Sequence, residues 1–238
     1  MKKHKRMLSL LCAIVLAVTL MAPTALALQG PDVSVPDNYD LIYFVDCGAG
    51  AFPANIQTLL TEHHDTVKNA GTPDQAYDGT WGYTNATDDL EVRNSDSDDI
   101  YQSIRNFKSG KNGQTLEYKF AGDAGEYRVF VGLYDIWHMY NNGVRQASVS
   151  VNGGAAQSLT YGSDAHLLSF DATVADGNGL SVKVVPTNTA AGDEGDVLVS
   201  VVLVTKKAQE PAEPQKQEAH TDDTYIWGKG GEHWKRDM

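Results

Sequence analysis

The sequence predicts an all-β fold, an antiparallel β-sandwich or jelly roll. Short segments in which apolar and polar residues alternate recur at roughly 8–15-residue intervals, as the strands of such folds do. Turns rich in Gly, Asn and Asp separate these segments, for example Asn152-Gly153-Gly154. The chain lacks the alternating series of helices that an α/β fold requires, so that class is not expected.

The individual elements follow from these patterns. Residues 41–47 form an apolar first strand that ends at Gly48, and the polar, turn-rich stretch to about Gly113 contains one predicted short helix near residues 56–64. Period-two alternation, which places side chains on one sheet face, predicts the later strands. They are residues 116–120, 127–133, 147–151, 168–174, 180–184 and 197–204. The last is apolar on both faces, which is typical of a central strand.

The first 27 residues are predicted to be a secretory signal peptide. A basic start (Lys2, Lys3, Lys5, Arg6) precedes an apolar run at residues 8–20 and an A-x-A cleavage site at residues 25–27. The run is too short for a confident membrane span. We therefore expect a secreted, extracellular protein, with association to the cell surface left open and no membrane insertion after cleavage.

The net charge of −12 excludes some partners. All 31 acidic residues follow the signal, which contains four of the 19 basic ones, so the remainder carries a charge of −16. Such a chain is a poor ligand for nucleic acid or anionic membranes. It is compatible with neutral partners, or the charge serves solubility alone.

Only Cys47 remains once Cys12 leaves with the signal, so no intrachain disulfide is expected. Because Cys47 ends an apolar segment, we expect a buried, unreactive thiol. The fold must then be stabilised by its hydrophobic core.

Composition divides the remaining chain. A lead at residues 28–39 precedes the sandwich, predicted for residues 40–206, and a charged linker rich in Pro, Glu and Gln follows at residues 207–223. Residues 224–238 contain Tyr225, Trp227 and Trp234 but are too few to fold alone. This tail is either the stub of a further module or a segment that docks on the sandwich or on a partner protein.

Aromatic side chains cluster in a predicted loop at Tyr77, Trp81 and Tyr83, among Gly, Asp and Thr. Loops held by a rigid sheet often carry binding groups. The C–H face of a sugar ring stacks on an aromatic ring, and nearby polar groups bind its hydroxyls. A sugar site and a structural role, in which the rings cover a sheet face, both remain open.

A second cluster follows the strand at residues 127–133. Asp135 and Trp137 occur there together with His138 and Tyr140, where the alternating core pattern has ended. A carboxylate beside aromatic rings again suits a hydroxyl-rich ligand. The alternative is that Trp137 folds back and closes one end of the sandwich.

Five segments in order resemble malectin and the malectin-like carbohydrate-binding domains. They are YFVDCGA, residues 75–83, EYRVFVGLYDIW, ASVSVNG and VLVSVVLV, and the resemblance spans about residues 40–206. It implies a galactose-binding-like β-sandwich of the kind appended to secreted bacterial glycosidases, which binds oligosaccharide through loop aromatics and an acidic residue near the last strand.

Carried over residue by residue, the resemblance implies a ligand site. Its members are Tyr77, Trp81, Tyr83, Asp135, Trp137 and Asp193, with Asp196 as the alternative acid. Malectin has tyrosines where this chain has Trp81 and Trp137, so the resemblance does not give the sugar. Arg145 is expected to pair with an acid structurally.

The sequence contains no complete catalytic or metal-binding motif of the common kinds. Gly-x-Ser-x-Gly, His-Glu-x-x-His and phosphate-loop patterns are missing, so we expect no enzyme activity. His63 and His64 have no third ligand at a set spacing, and Asp96, Asp98 and Asp99 begin a calcium-like loop without its Gly and terminal Glu. No cofactor is expected, and a structural Ca²⁺ elsewhere is left open.

The sequence thus predicts a secreted, non-catalytic carbohydrate-binding module for oligo- or polysaccharide. An extracellular structural or protein-interaction domain is the alternative, and a small glycan-active enzyme is the weaker third hypothesis. The first hypothesis expects Trp81, Trp137 and Asp193 to converge on one solvent-open face.

Overall fold

The computed structural model describes residues 30–47, 52–94, 97, 99–137, 143–175 and 177–209. The chain divides into two compact units after Ala208, and both large sheets belong to the first. The predicted signal peptide and the 224–238 tail lie outside the described residues, as does most of the predicted linker. Of the described helices, none is long and apolar enough to cross a membrane.

Two five-stranded sheets form the molecule. The first contains, in spatial order, β10 (His166–Val174), β7 (Gly125–Leu133), β12 (Val201–Lys207), β1 (Tyr39–Asp46) and β2 (Asn69–Gly71). The second contains β3 (Trp81–Tyr83), β6 (Leu116–Phe120), β11 (Leu180–Pro186), β8 (Gln146–Val151) and β9 (Gln157–Thr160). Apart from the parallel β1–β2 pair, neighbouring strands are antiparallel. The predicted fold class is confirmed.

Strands β6, β7, β8, β10 and β11 occur where the alternating patterns predict them, and β12 is the central strand of its sheet. The sequence patterns do not predict β9. The strand predicted at residues 197–204 begins only at Val201. The preceding residues have another partner: Val199 exchanges two backbone hydrogen bonds with Arg105, at 2.7 and 3.0 Å.

The stretch before Gly113 contains more structure than its composition predicts. The predicted helix is present as α1, Ala54–Glu62. The same stretch also contains β2, β3 and a separate two-stranded sheet of β4 (Leu90–Arg93) and β5 (Ile104–Phe107). These strands have three or four residues, too few to show a clear alternating pattern.

Two hydrophobic clusters hold the layers together. Alternating residues of facing strands, such as Val129, Val149 and Val182, are fully buried between the large sheets. The outer face of the first sheet is also covered, because Ile56 of α1 and Tyr101 pack with Leu203 in a second cluster. Each buried aliphatic side chain of this size contributes roughly 1.5–3 kcal/mol.

A buried polar network links these layers. The guanidinium of Arg105 donates to the carboxylate of Asp74, and the hydroxyl of Tyr118 donates to the same carboxylate. Cys47 Sγ lies 3.4 Å from the Tyr118 hydroxyl. Burial raises the pKa of the Cys47 thiol well above its ordinary value. The predicted burial of Cys47 is confirmed, and the raised pKa disfavours its reactive thiolate.

Replacing Arg105 by Leu should destabilise the protein by about 3–5 kcal/mol, because the Asp74 carboxylate would stay buried without its cation. Denaturant unfolding would measure the change. The matched control is Arg93→Leu, which removes a guanidinium from the more exposed Arg93–Glu91 pair on β4, the strand next to that of Arg105, and should cost under about 1 kcal/mol. Equal losses in the two variants would contradict the role assigned to the buried pair.

Candidate functional site

The loop between β2 and β3 is built around the carboxylate of Asp78. One oxygen accepts hydrogen bonds from the Thr80 backbone N–H (2.8 Å), the Thr80 hydroxyl (2.5 Å) and the Trp81 backbone N–H (3.2 Å). The other accepts from the Gln75 side-chain amide at 2.8 Å. These bonds, those of Thr80 foremost, lower the pKa of Asp78 to about 2. The loop therefore has a defined conformation at neutral pH.

This loop presents the ring of Tyr77 to solvent. The Tyr77 N–H donates to the Tyr83 carbonyl at 2.8 Å, and its hydroxyl donates to the Gly79 carbonyl at 3.1 Å. Its side chain nevertheless remains 40% exposed. Within the described part of the chain, Tyr77 and Val185 are the exposed large apolar residues. Tyr77 is thus a pre-positioned, solvent-facing aromatic ring.

Beside Tyr77 lies a cleft of about 480 Å³. It is bounded by five segments: the residue before β2, the 75–83 loop, the end of β6 with the β6–β7 turn, the turn after β8, and the turn between β10 and β11 with the start of β11. Its polar side chains include those of Lys68, Lys119, Asp123, Asn152, Asn178 and Ser181.

Hydrogen bonds between these segments hold the cleft in shape. Ala121 N–H donates to the Thr80 carbonyl at 2.6 Å, which joins the β6–β7 turn to the 75–83 loop. The Tyr43 hydroxyl donates to the Ala121 carbonyl at 2.8 Å from the other sheet. Gly179 has φ +63° and lies so close to the Phe120 carbonyl that a side chain would collide with it. The cleft wall is therefore part of the rigid fold.

The other two predicted loop aromatics face protein. The Trp81 indole is half-buried and lies over Gly71, where a Cβ would overlap the ring. Tyr83 is buried, with the Arg105 guanidinium 4.9 Å from its ring centroid and the edge of Tyr118 against it. The environments of Trp81 and Tyr83 therefore fit the structural role, in which the rings cover protein. The environment of Tyr77 fits the sugar-binding role.

Asp135 and Trp137 form a second, separate arrangement. Asp135 is buried and accepts hydrogen bonds from Arg145 Nη1 (2.8 Å) and the Trp137 backbone N–H (2.9 Å). The Arg145 guanidinium lies 5.1 Å from the Trp137 ring, a cation–π contact. The predicted structural pairing of Arg145 with an acid is confirmed.

Asp193 and Asp196 are the two candidates for the acidic residue near the last strand. Asp193 belongs to the 3₁₀ segment Thr189–Gly195, and its side chain lies outside the described set. Asp196 is buried and accepts from the Val197 N–H (2.7 Å) and the Phe107 N–H (3.0 Å). Burial raises the pKa of Asp196 to about 6. Its carboxylate therefore holds backbone rather than facing solvent.

The expectation that Trp81 and Trp137 converge is wrong. Trp81 pairs with Phe120, which pairs with Leu180, so β3 begins level with the far end of β8 at Val151. Trp137 contacts Arg145, which lies just before the start of β8. The six residues of β8 alone separate the two positions by about 20 Å. The two tryptophans do not share a site because β7 begins beside the cleft and ends at Leu133, so the turn that contains Trp137 lies at the opposite end of the strand.

Residues that sequence inspection missed complete the cleft. Lys68, Lys119 and Asp123 were not singled out, because they lie on two separate segments and show no motif. The sequence pattern identifies Asn152 only as part of a turn and not as a residue of the cleft. His138 and Tyr140 lie outside the described residues. The described side chains contain no group of three His, Cys, Asp or Glu that could hold a metal ion.

Comparison with known proteins gives structural similarity alone. No family model and no curated protein sequence matches the chain. The plant receptor-like kinase FER superposes with a TM-score of 0.49 at 13% identity, covering 77% of this chain and 55% of that one. The ANXUR1 extracellular domain from Arabidopsis thaliana gives 0.45 at 12% identity, covering 77% and 53%.

A bacterial enzyme is also similar over part of its length. Beta-glucuronidase 2 from Bacteroides uniformis superposes with a TM-score of 0.45 at 19% identity, covering 69% of this chain and 17% of that one. The chain therefore spans about half of the two receptor chains and less than a fifth of the glucuronidase.

The free energy of unfolding should depend on pH through Asp196. Because its pKa is raised to about 6 from the ordinary 3.8, the folded state binds this proton more tightly than the unfolded state. The stabilisation is fully present below about pH 4 and is lost as pH rises through 6, an effect of about 1–3 kcal/mol. Denaturant unfolding from pH 4 to 7.5 should show this component in the wild type and not in Asp196→Asn.

Asp171→Asn, which removes the exposed carboxylate paired with Arg128, is the control and should keep the wild-type profile. Identical pH profiles for the wild type and Asp196→Asn would contradict the assignment.

Proposed function

We propose that this chain is an exported, non-catalytic carbohydrate-binding module of the malectin-like kind that its sequence resembles, and that it holds sugar in the cleft beside Tyr77. The supporting observation is the exposed Tyr77, whose backbone N–H and ring hydroxyl are each hydrogen-bonded, at the edge of a polar, pre-formed cleft.

The size and chemistry of the cleft suit a saccharide. Its volume of about 480 Å³ lies within the usual range for small-molecule sites, roughly 300–1,000 Å³. The Tyr77 ring offers apolar area and a negative face to the polarised C–H bonds of a sugar ring. Because this ring is already held in place, little conformational entropy is lost on binding.

Groups that can bind sugar hydroxyls line the same cleft. Among the described residues, the Lys119 amine, the Asp123 carboxylate and the Asn152 side-chain N–H₂ have no hydrogen-bond partner in the protein. The Asp123 carboxylate would accept charge-assisted bonds, and the amine and amide would donate. One stacked ring with a few such bonds supports roughly −4 to −7 kcal/mol, a Kd of about millimolar to ten micromolar.

The cleft favours binding over hydrolysis. A glycosidase requires two carboxylates across the scissile bond. Of the described residues that line this cleft, Asp123 alone carries a carboxylate. Asp196, with its raised pKa, lies beside Phe107 and not in the cleft.

The protein-interaction alternative has less support from the described residues. Protein interfaces have apolar cores enriched in aromatic side chains. Val185 and Tyr77, the exposed large apolar residues of the described part, belong to separate strands and loops and form no broad patch. The tail on which that alternative depends lies outside the described residues.

Tyr77→Ala should reduce glycan affinity at least about tenfold, because it removes the stacking ring of the cleft. Its matched control is Trp137→Ala, which removes an aromatic ring at the other end of β8 and should leave affinity unchanged. Calorimetric titration with glycans selected on an array would measure both, with circular dichroism to verify folding.

Loss of binding in Trp137→Ala with Tyr77→Ala unaffected would place the sugar site at the other end of the sandwich. An array without any bound glycan at high protein concentration would contradict carbohydrate binding itself. Turnover of glycosides by rigorously purified protein would contradict the non-catalytic assignment.

A further inference from the structure

Two lysines line the Tyr77 cleft of a chain that is acidic as a whole. The protein has 31 acidic residues against 19 basic ones. The described residues of the cleft include two lysines, Lys68 and Lys119, and a single carboxylate, that of Asp123. The neighbouring Asp78 carboxylate is charged at neutral pH and exposed, but it is not among the lining residues, and its two oxygens accept four hydrogen bonds from its own loop.

Neither lysine is neutralised by a described carboxylate. Three other lysines form ion pairs: Lys111 with Asp89, Lys183 with Glu117, and Lys207 with Glu126. Within the described part of the chain, Lys68 and Lys119 have no carboxylate within 4.0 Å of their amines.

The two lysines enter the cleft from different elements. Lys68 directly precedes β2 and extends over the Tyr43 ring, with its amine 5.8 Å from the ring centroid. Lys119 lies on β6 and pairs with Ser181 of β11 and Gly82 of β3. Each is positioned by a different part of the fold, and both residues line the cleft that Tyr77 also lines.

From this arrangement we infer that the ligand of the cleft is an acidic saccharide, one whose uronic-acid carboxylates bind the Lys68 and Lys119 amines while a sugar ring stacks on Tyr77. The inference rests on the proposed carbohydrate-binding function and specifies its ligand class. The ligand's carboxylates compensate the positive charges of the two lysine amines. Asp123 and Asn152 then remain to bind the hydroxyls of the sugar. The acidic surface outside the cleft then disfavours polyanions that do not fit it.

The test compares matched pairs of oligosaccharides. Trimers of galacturonate, glucuronate and mannuronate are each titrated beside the same trimer with its carboxylates reduced to primary alcohols. We expect at least one acid trimer to bind about five- to twentyfold more tightly than its reduced form at low salt. This preference should shrink as ionic strength rises from about 0.02 M to about 0.5 M.

Charge variants locate the effect. Lys68→Gln and Lys119→Gln should each weaken acid-trimer binding about two- to fivefold and leave the reduced trimer unchanged. Lys111→Gln makes the same charge change on the turn before β6, away from the cleft, and should have no effect. Tyr77→Ala should weaken the acid and reduced trimers alike, because stacking does not depend on the carboxylate.

The outcomes separate the two proposals. Equal binding of acid and reduced trimers, or equally tight binding of polyglutamate of the same charge, overturns the acidic-saccharide inference while carbohydrate binding stands. If no acid trimer, no reduced trimer and no neutral array glycan binds, the proposed function is overturned, and the inference is overturned with it. A preference for acid trimers that Lys68→Gln and Lys119→Gln remove supports both.

Discussion

The buried ion pair between Arg105 and Asp74 connects the parts of this molecule that no continuous strand connects. Arg105 belongs to the small β4–β5 sheet, exchanges backbone hydrogen bonds with Val199 before the central strand, and places its guanidinium on the ring of Tyr83. Asp74 also accepts from Tyr118 of the second large sheet. Two buried charges are costly unless each has good partners, so the geometry around them is tightly constrained.

That constraint extends to the cleft. Asp74 lies three residues before Tyr77, and the 75–83 loop returns to Tyr83 through paired backbone hydrogen bonds with Gln75 and Tyr77. The buried pair fixes the base of the loop, and the Asp78 carboxylate organises its tip. A loop held at both points can present an exposed ring without relying on burial of that ring. The same loop therefore contains a buried tyrosine and an exposed one.

The aromatic residues of the chain serve two different purposes. Trp81, Trp137 and Tyr83 each pack against a glycine or a guanidinium, and these contacts close edges and ends of the sandwich. Tyr77 has contacts that orient it but do not cover it. Lys68 and Lys119 also line the cleft, and neither forms an ion pair with a described carboxylate. The uncovered ring and these two cations occur at one place, which is why the proposed ligand is assigned there.

The sequence by itself determined the fold class, the helix α1, the positions of β6, β7, β8, β10 and β11, and the burial of Cys47, because alternation and turn chemistry are local properties of a chain. It also singled out Tyr77 by its loop context. Only the tertiary structure decided that Trp81 and Trp137 are far apart, and that Lys68, Lys119, Asp123 and Asn152 border one cleft. The physical reason is strand order and direction: which turns share an end of a sandwich depends on long-range pairing, and no local pattern encodes it.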